Sequence, residues 1–452
     1  MERRPFWVYA VYDLRRWWPV LILPLLRLIS PERPLAAGWA EYGISAGLIA
    51  YSVLKWRCAR YRVSKSQSGR FHGIGVRQGI ACRHSLHVAA EDAASVEIER
   101  TPLLSLCGGR RVRVSTAGLR RRADAVLYLP ARQVRELFAL QGQQRRRYRA
   151  KLWPVLVMAV TGSNAAVGLL TAVPALRQIG RLIGERLTPD AETLLHAELP
   201  VLFRTAANFL MLGWGVAALN NFLRYVGFYA MVEERHLHLV SGLFTRRDVL
   251  IDRDKITGVE LRQTLFMRLC GLYTAVITAA GYGRDVGARP VLIPAADPRT
   301  LSHHLQRLLP EFPIKSGRIR PMAGARFRYV GPPALLLAGG ILLWLGGGFY
   351  RVPSLLVMTV AIWWGAVRLM GFHAAGFGAD ATAVTVWYPR GLALYRVYLP
   401  REVVDDIRLS QSPWQRRRGS CTVTVRCFGE KKRRHRVRGL PYDAVRYEID
   451  RQ

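Results

Sequence analysis

Two hydrophobic rhythms alternate along the chain. Long, nearly uncharged runs occupy residues 38–56, 152–173, 200–222, 332–349 and 352–372, and a run from the Trp17, Trp18 and Pro19 cluster to Ile29 is interrupted by Arg27. About 20 apolar residues cross a bilayer core as a helix, so these runs predict six spans arranged as three hairpins. Between them the period changes to two, in segments such as HLHLV, DVLI, TAVITAA, VTVWY and TVTVRC. Such alternation bounded by turn residues predicts antiparallel strands. Each strand-rich stretch then closes on a helical pattern, ARQVRELFALQ, DPRTLSHHLQRLL and YDAVRYEI. The expected fold is helical membrane hairpins at 1–56, 145–223 and 326–372, alternating with small β-rich barrels or sandwiches at 57–140, 224–312 and 374–450, each with a C-terminal helix.

The strand-rich stretches are copies of one another. Gly108 and Gly118 bracket an alternating strand, as do Gly271 and Gly281, and Gly419 and Gly429. A further glycine lies 29, 29 and 28 residues upstream, at Gly79, Gly242 and Gly391. Val96, Val259 and Ile407 precede the central glycine by 12 residues, and Pro130, Pro294 and Pro441 follow the second glycine by 12 or 13. Four kept spacings among five positions identify an internal repeat, with these nine glycines as its structural frame.

Charge fixes an expected topology. The chain has 452 residues and a formal net charge of +36, with half of its residues hydrophobic. Basic charge combined with long apolar runs points to anionic lipid rather than nucleic acid. Residues 57–151 carry 21 Lys or Arg against 6 Asp or Glu, whereas 174–198 carry 3 against 4. Arg- and Lys-rich flanks stay in the cytoplasm, so both termini and all three modules are expected on the cytoplasmic face of a bacterial inner membrane. Six cysteines without a C-x-x-C pair read as core thiols in a reducing compartment. The N-terminus lacks an apolar h-region and a cleavage site, so it is expected to be retained.

The residues from Tyr229 to Gly281, YAMVEERHLHLVSGLFTRRDVLIDRDKITGVELRQTLFMRLCGLYTAVITAAG, resemble the bacterial pleckstrin-homology-like (PH-like) domain. The matching parts are the turn SGLFTRR, the segment with Ile256, Val259 and Glu260, and the L-C-G-L turn before the next strand. Three such modules alternating with helix pairs resemble YdbT-like membrane proteins over nearly the whole chain. The resemblance implies a PH-like fold and a membrane location, and it implies no catalysis. The first copy carries about five extra residues between Tyr61 and Gly79, and the third replaces SGLFTRR with PRGLALYRV and L-C-G-L with RRRGSC.

Candidate chemistry centres on arginine. Arg110, Arg111, Arg113, Arg120, Arg121 and Arg122 surround the first central strand, and Arg416, Arg417, Arg418, Lys431, Lys432, Arg433 and Arg434 surround the third. Alternate strand residues share a face, so Arg111 and Arg113 are expected to project together while Val112 and Val114 go inward. These clusters are the candidate contacts for anionic lipid or a protein partner, each basic residue near a headgroup surface contributing about 1 kcal/mol. The middle module lacks such a cluster and is expected to pack on its neighbours through Tyr273 and Val276.

Other patterns carry less. Gly43, Ser45 and Gly47 spell the hydrolase motif G-x-S-x-G, but within a predicted helix, where they read as a packing face. Gly73, Gly75 and Gly79 miss the dinucleotide spacing by one. His236 with His238, and His303 with His304, lack further ligands at metal spacing. Arg204 and Asn208 are the one pair that could line a transport path. The reading is a non-enzymatic scaffold without metal or cofactor, serving envelope maintenance, whose partners are anionic lipid and other membrane proteins or further copies of itself. The alternatives are a transporter of a small molecule or lipid and, with less support, a hydrolase through Ser45.

Overall fold

A computed structural model describes residues 2–3, 39–65, 71–79, 84–116, 125–137, 146–162, 201–233, 236–279, 290–312, 317–346, 351–391, 393–427 and 433–451. The chain divides into two compact units, Met1–Arg147 with Tyr229–Ile256 and Ala279–Ala288, and Tyr148–Phe228 with Thr257–Thr278 and Arg289–Gln452.

In the first unit, helix α1 (Trp39–Cys58) leads into a meander of β2 (Arg60–Lys65), β3 (Phe71–Gln78) and β4 (His84–Ala89), with β1 (Glu2–Arg3) along the edge of β2. A second meander follows, β5 (Ala93–Arg100), β6 (Gly109–Thr116) and β7 (Ala125–Pro130), with the short helix α2 (Pro102–Leu106) between its first two strands and α3 (Ala131–Leu137) after its last. The two meanders pack face to face. Ile74, Val76 and Val88 from one meet Val96, Ile98, Val112, Val114, Leu127 and Leu129 from the other. Strand alternation makes this possible, since it turns every second residue to the same side; Val112 and Val114 are fully buried, as the sequence predicts.

After β8 (Arg146–Arg149) and the helices α4 (Leu152–Gly162) and α5 (Val201–Tyr225), the repeat starts again with β9 (Tyr229–Glu233), β10 (His236–Ser241) and β11 (Arg246–Asp252). This third meander extends the second one: β11 pairs antiparallel with the free edge of β5, placing Arg247 opposite Glu99 and Leu250 opposite Val96. The strand order runs β7-β6-β5-β11-β10-β9.

The second unit repeats the device. Its strands β12 (Ile256–Thr264), β13 (Tyr273–Ala279) and β14 (Val291–Ala296) carry the short helix α6 (Leu265–Leu269) and end in α7 (Pro298–Leu308). Two long helices follow, α8 (Arg326–Leu345) and α9 (Arg351–Ala374), then β15 (Gly376–Ala379), β16 (Ala383–Arg390) and β17 (Ala393–Pro400). The chain finishes with β18 (Val404–Ser410), α10 (Pro413–Arg417), β19 (Ser420–Cys427), β20 (Arg433–Pro441) and α11 (Tyr442–Asp450). Here β12 pairs with β17, Val259 opposite Tyr398, so the sheet runs β14-β13-β12-β17-β16-β15. The last meander packs on the β15–β17 meander through Phe377, Val384, Val386 and Val397 against Val423, Val425 and Val437, with Val445 of α11 beneath.

Every repeat is thus two three-stranded meanders, a β-rich architecture consistent with PH-like modules. The second meander of one repeat shares its sheet with the first meander of the next. The middle module pairs with its neighbours through the backbone edges of β11 and β12, a contact that the apolar pattern of Tyr273 and Val276 did not indicate. Side-chain patterns report faces, whereas an edge is defined by unpaired N–H and C=O groups, and these leave no trace in hydropathy.

Among the described residues two helices, Ala323–Leu345 and Pro353–Ala374, are long and apolar enough to cross a membrane. They form an antiparallel hairpin: a side chain at Gly340 would fall 2.7 Å from Met358 Cγ, and one at Gly365 would come 3.8 Å from Pro333. The expected spans at 38–56 and 200–222 coincide with α1 and α5, helical but interrupted by Glu41, Lys55, Arg204, Asn208, Asn220 and Asn221. The first expected span and the second half of the third lie outside the described residues.

Candidate functional site

The repeat frame builds one local device three times. Thr101, Thr264 and Ser412 are N-caps whose side-chain oxygens accept from the amides of Leu104, Met267 and Gln415, each at 3.3 Å. Each cap starts a five-residue helix, α2, α6 or α10. Two residues beyond each helix, just after its C-cap, stands the central glycine, Gly108, Gly271 or Gly419, at φ +67°, +68° and +59°. That left-handed conformation ends a helix at little cost only for glycine, which explains why this column of the repeat is invariant here. The upstream column, Gly79, Gly242 and Gly391, also has positive φ, whereas Gly118, Gly281 and Gly429 lie outside the described residues.

The second residue of each short helix is a large apolar side chain turned outward: Leu103, Phe266 and Trp414 are 49%, 41% and 71% exposed. Each helix also lies near a longer one. Leu104 of α2 packs near Trp56 at the end of α1. Phe266 of α6 meets Trp363 of α9 at 4.7 Å between ring centroids. The cap of α10 receives a 2.9 Å hydrogen bond from Arg328 at the start of α8, and Arg418 donates to the Gly324 carbonyl at 3.3 Å. The third copy, most divergent in sequence, thereby keeps the same element.

The arginines of the first cluster separate by environment. Arg111 and Arg113 do share the outer face of β6, but their side chains keep only 15% and 12% exposure because β5 sets Glu99 and Glu97 opposite them. Arg111 reaches Glu99 at 3.3 Å, Arg113 reaches Glu97 and Glu99 at 3.4 Å, and Arg247 from β11 stands 3.9 Å from Glu99. These two arginines neutralise buried carboxylates where β6, β5 and β11 join. Arg110 points the other way, into a cavity of about 310 Å³ lined also by Arg100, Arg135, Ser105 and Ala131. Burial lowers its pKa, and the neighbouring Arg100 lowers it further.

In the third cluster Arg416, Arg417 and Arg418 are exposed, with Arg417 over the Trp414 ring at 5.9 Å. Arg434 is exposed at a cleft beside β20. Arg120, Arg121, Arg122, Lys431, Lys432 and the side chain of Arg433 lie outside the described residues, as do the side chains of Arg204 and Asn208. Sequence reasoning missed Arg436 and Arg438 on the same strand, and Arg328, Arg368 and Arg390, which converge on that cleft from three further places in the chain. The alternation of Arg434, Arg436 and Arg438 was legible; the convergence was not.

The remaining motifs resolve simply. Ser45 sits within α1, not on a strand-to-helix elbow, and the space beside Gly43 and Gly47 is open among the described residues. His238 is buried on β10 against Tyr229, and burial pushes its pKa down to about 4. Among the described residues no three His, Cys, Asp or Glu side chains gather at metal-binding distance. Cys421 is a core thiol whose pKa is raised to about 11 by burial, but Cys270, at the end of α6, is exposed.

A family model described as bacterial PH domain matches residues 21–148 and 173–309, together more than half of the chain. The chain is also similar to a Bacillus subtilis protein named UPF0699 transmembrane protein YdbT, 20% identical over 314 residues. That match covers 63% of this chain and 62% of the relative, so the chain spans about three fifths of the relative's length. No solved structure matches. The two matched segments contain the glycine-capped helices α2 and α6 and the meanders around them, and on this basis the chain belongs to the bacterial PH domain family.

Proposed function

We propose that the chain is a non-enzymatic, multi-pass protein of the bacterial inner membrane that holds three PH-like modules against the cytoplasmic bilayer surface for contact with anionic lipid and for assembly with other membrane proteins. The carrying observation is the thrice-repeated capped helix with an outward Leu103, Phe266 or Trp414. An apolar side chain beside arginines suits the headgroup boundary, where it enters the acyl region while the cations meet phosphates. The hairpin of α8 and α9 supports membrane spanning, and the relative's printed name supports it independently. The remaining four spans and the cytoplasmic orientation rest on the apolar runs and the arginine bias.

The test uses the full chain in nanodiscs containing brominated phosphatidylglycerol. Indole fluorescence assigned to Trp414, by difference from Trp414→Phe, should be quenched. Quenching no greater than that of an indole in water, or release of the protein from native membranes by alkaline carbonate, would overturn the proposal.

A further inference from the structure

The second unit contains a cleft of about 190 Å³ whose charged lining consists of Arg328, Arg368, Arg390, Arg434, Arg436 and Arg438. It is built from four elements: the first turn of α8, the last turns of α9, the end of β16, and one face of β20. On β20 the arginines alternate with His435 and Val437, which are buried, so strand geometry sends all three guanidinium groups to the same side. Tyr329 and Tyr388 form the floor with Pro389.

The walls are held by close approaches. A Cβ on Gly371 of α9 would fall 2.4 Å from Pro389, and one on Gly439 of β20 would fall 2.1 Å from Ala325. Met322 donates to the Gly439 carbonyl at 2.8 Å, and the Tyr329 hydroxyl donates to the Arg438 carbonyl at 3.1 Å. Tyr388 is fixed from behind by a 2.8 Å hydrogen bond with His435 Nδ1. The arginines are therefore gathered by a rigid frame.

No carboxylate lines the cleft, and among the described residues none of the six arginines forms an ion pair with Asp or Glu. The contrast with Arg111 and Arg113, which have Glu97 and Glu99 opposite them, is direct. Arg368 Nε is buried without a hydrogen-bond partner, and Arg436 has its pKa lowered by burial and by the adjacent Arg438 and Arg328. Like charges held together, with Arg328 and Arg368 half-buried and the other four at the exposed rim, repel one another until an anion enters. Guanidinium forks match phosphate oxygens two at a time. The volume corresponds to about six waters at roughly 30 Å³ each, enough for one or two phosphoryl groups and too small for a nucleotide.

We propose that this cleft binds a phosphomonoester or diphosphate group, and that its position beside the ends of α8 and α9 suits such a group on a lipid. The inference deepens the anionic-lipid reading above and rests on it only for the lipid source. A single phosphodiester, with one charge, would leave most of the arginines unneutralised, so the cleft discriminates by headgroup charge.

The experiment uses the full chain in nanodiscs of neutral phosphatidylcholine and measures binding of short-chain phosphatidate, inorganic pyrophosphate and short-chain phosphatidylglycerol. Phosphatidate should bind, and the triple variant Arg434→Gln/Arg436→Gln/Arg438→Gln should weaken it by about a hundredfold, as expected for losing two or three charge-assisted hydrogen bonds. Arg299→Gln/Arg307→Gln/Arg446→Gln, exposed on α7 and α11 outside the cleft, should leave it unchanged. These variants alter exposed side chains, and an unchanged unfolding midpoint verifies that each is folded. Pyrophosphate binding that the cleft variant alone abolishes, without phosphatidate binding, supports the site with a soluble ligand. Equal affinity for phosphatidylglycerol, or equal losses in both triple variants, overturns the cleft. Failure of the cleft with Trp414 quenching intact leaves the membrane reading standing, so the two can fail separately.

Discussion

Glu99 decides whether the arginines of β6 are structural or available to a ligand, and replacing it with glutamine separates the possibilities. The side chain is 9% exposed and faces Arg111 at 3.3 Å, Arg113 at 3.4 Å and Arg247 at 3.9 Å. Glutamine keeps the shape and removes the charge. Breaking a buried ion pair from one side costs about 3–5 kcal/mol, because the opposing charge is left without compensation. The arginines retain 12–21% exposure and Glu97 still holds Arg113, so the lower end applies, about 3 kcal/mol. For a unit of this size each kcal/mol lowers the midpoint by roughly 2–4 °C, giving a fall of about 6–12 °C. Thermal unfolding of the full chain in detergent measures this, and hydrogen exchange should place the loss in β5, β6 and β11. Glu136→Gln, which disrupts the exposed pair with Arg132, is the control and should stay within about 0.5 kcal/mol. Adding Arg111→Gln to Glu99→Gln should recover part of the loss. A Glu99→Gln protein as stable as wild type, or a double variant no better than the single, would refute the assignment and return Arg111 and Arg113 to the candidate lipid contacts.

Three further outcomes follow from the geometry. Gly271→Ala should cost about 1–2 kcal/mol, because φ is +68° but the space beside it is open, whereas Gly242→Ala should cost clearly more, since its Cβ would meet the Thr245 carbonyl oxygen at 2.1 Å; equal unfolding midpoints would contradict this. His238 has a folded pKa of about 4 against an ordinary 6.5, so its neutral form is favoured by the fold. Its contribution is complete above pH 6.5 and is lost as pH falls from 6.5 toward 4, about 3 kcal/mol in all; denaturant midpoints of wild type and His238→Gln should converge in pH dependence if this is wrong. A variant keeping only the exposed Cys270 should react with a membrane-impermeant maleimide in inverted vesicles and not in spheroplasts; labelling from the outside would reverse the proposed orientation.

The sequence by itself determined the repeat, its strands and its turns. Gly108, Gly271 and Gly419 were visible as a spacing because a left-handed residue after a capped helix admits few substitutes. Val112 and Val114 could be assigned to the core because alternation is a local property of a strand. The arginine runs were equally visible, but their roles were not: Arg111 and Arg113 are neutralised by Glu97 and Glu99, which only strand register places opposite them. Sheet sharing between successive repeats, β5 with β11 and β12 with β17, was decided by tertiary structure because edge pairing uses backbone groups that every residue carries. The six-arginine cleft belongs to the same class. Arg328, Arg368, Arg390 and the β20 trio lie up to 110 residues apart in sequence, and only the packing of α8 and α9 against β16 and β20 makes them neighbours, since Coulomb repulsion acts over distance in space and not along the chain.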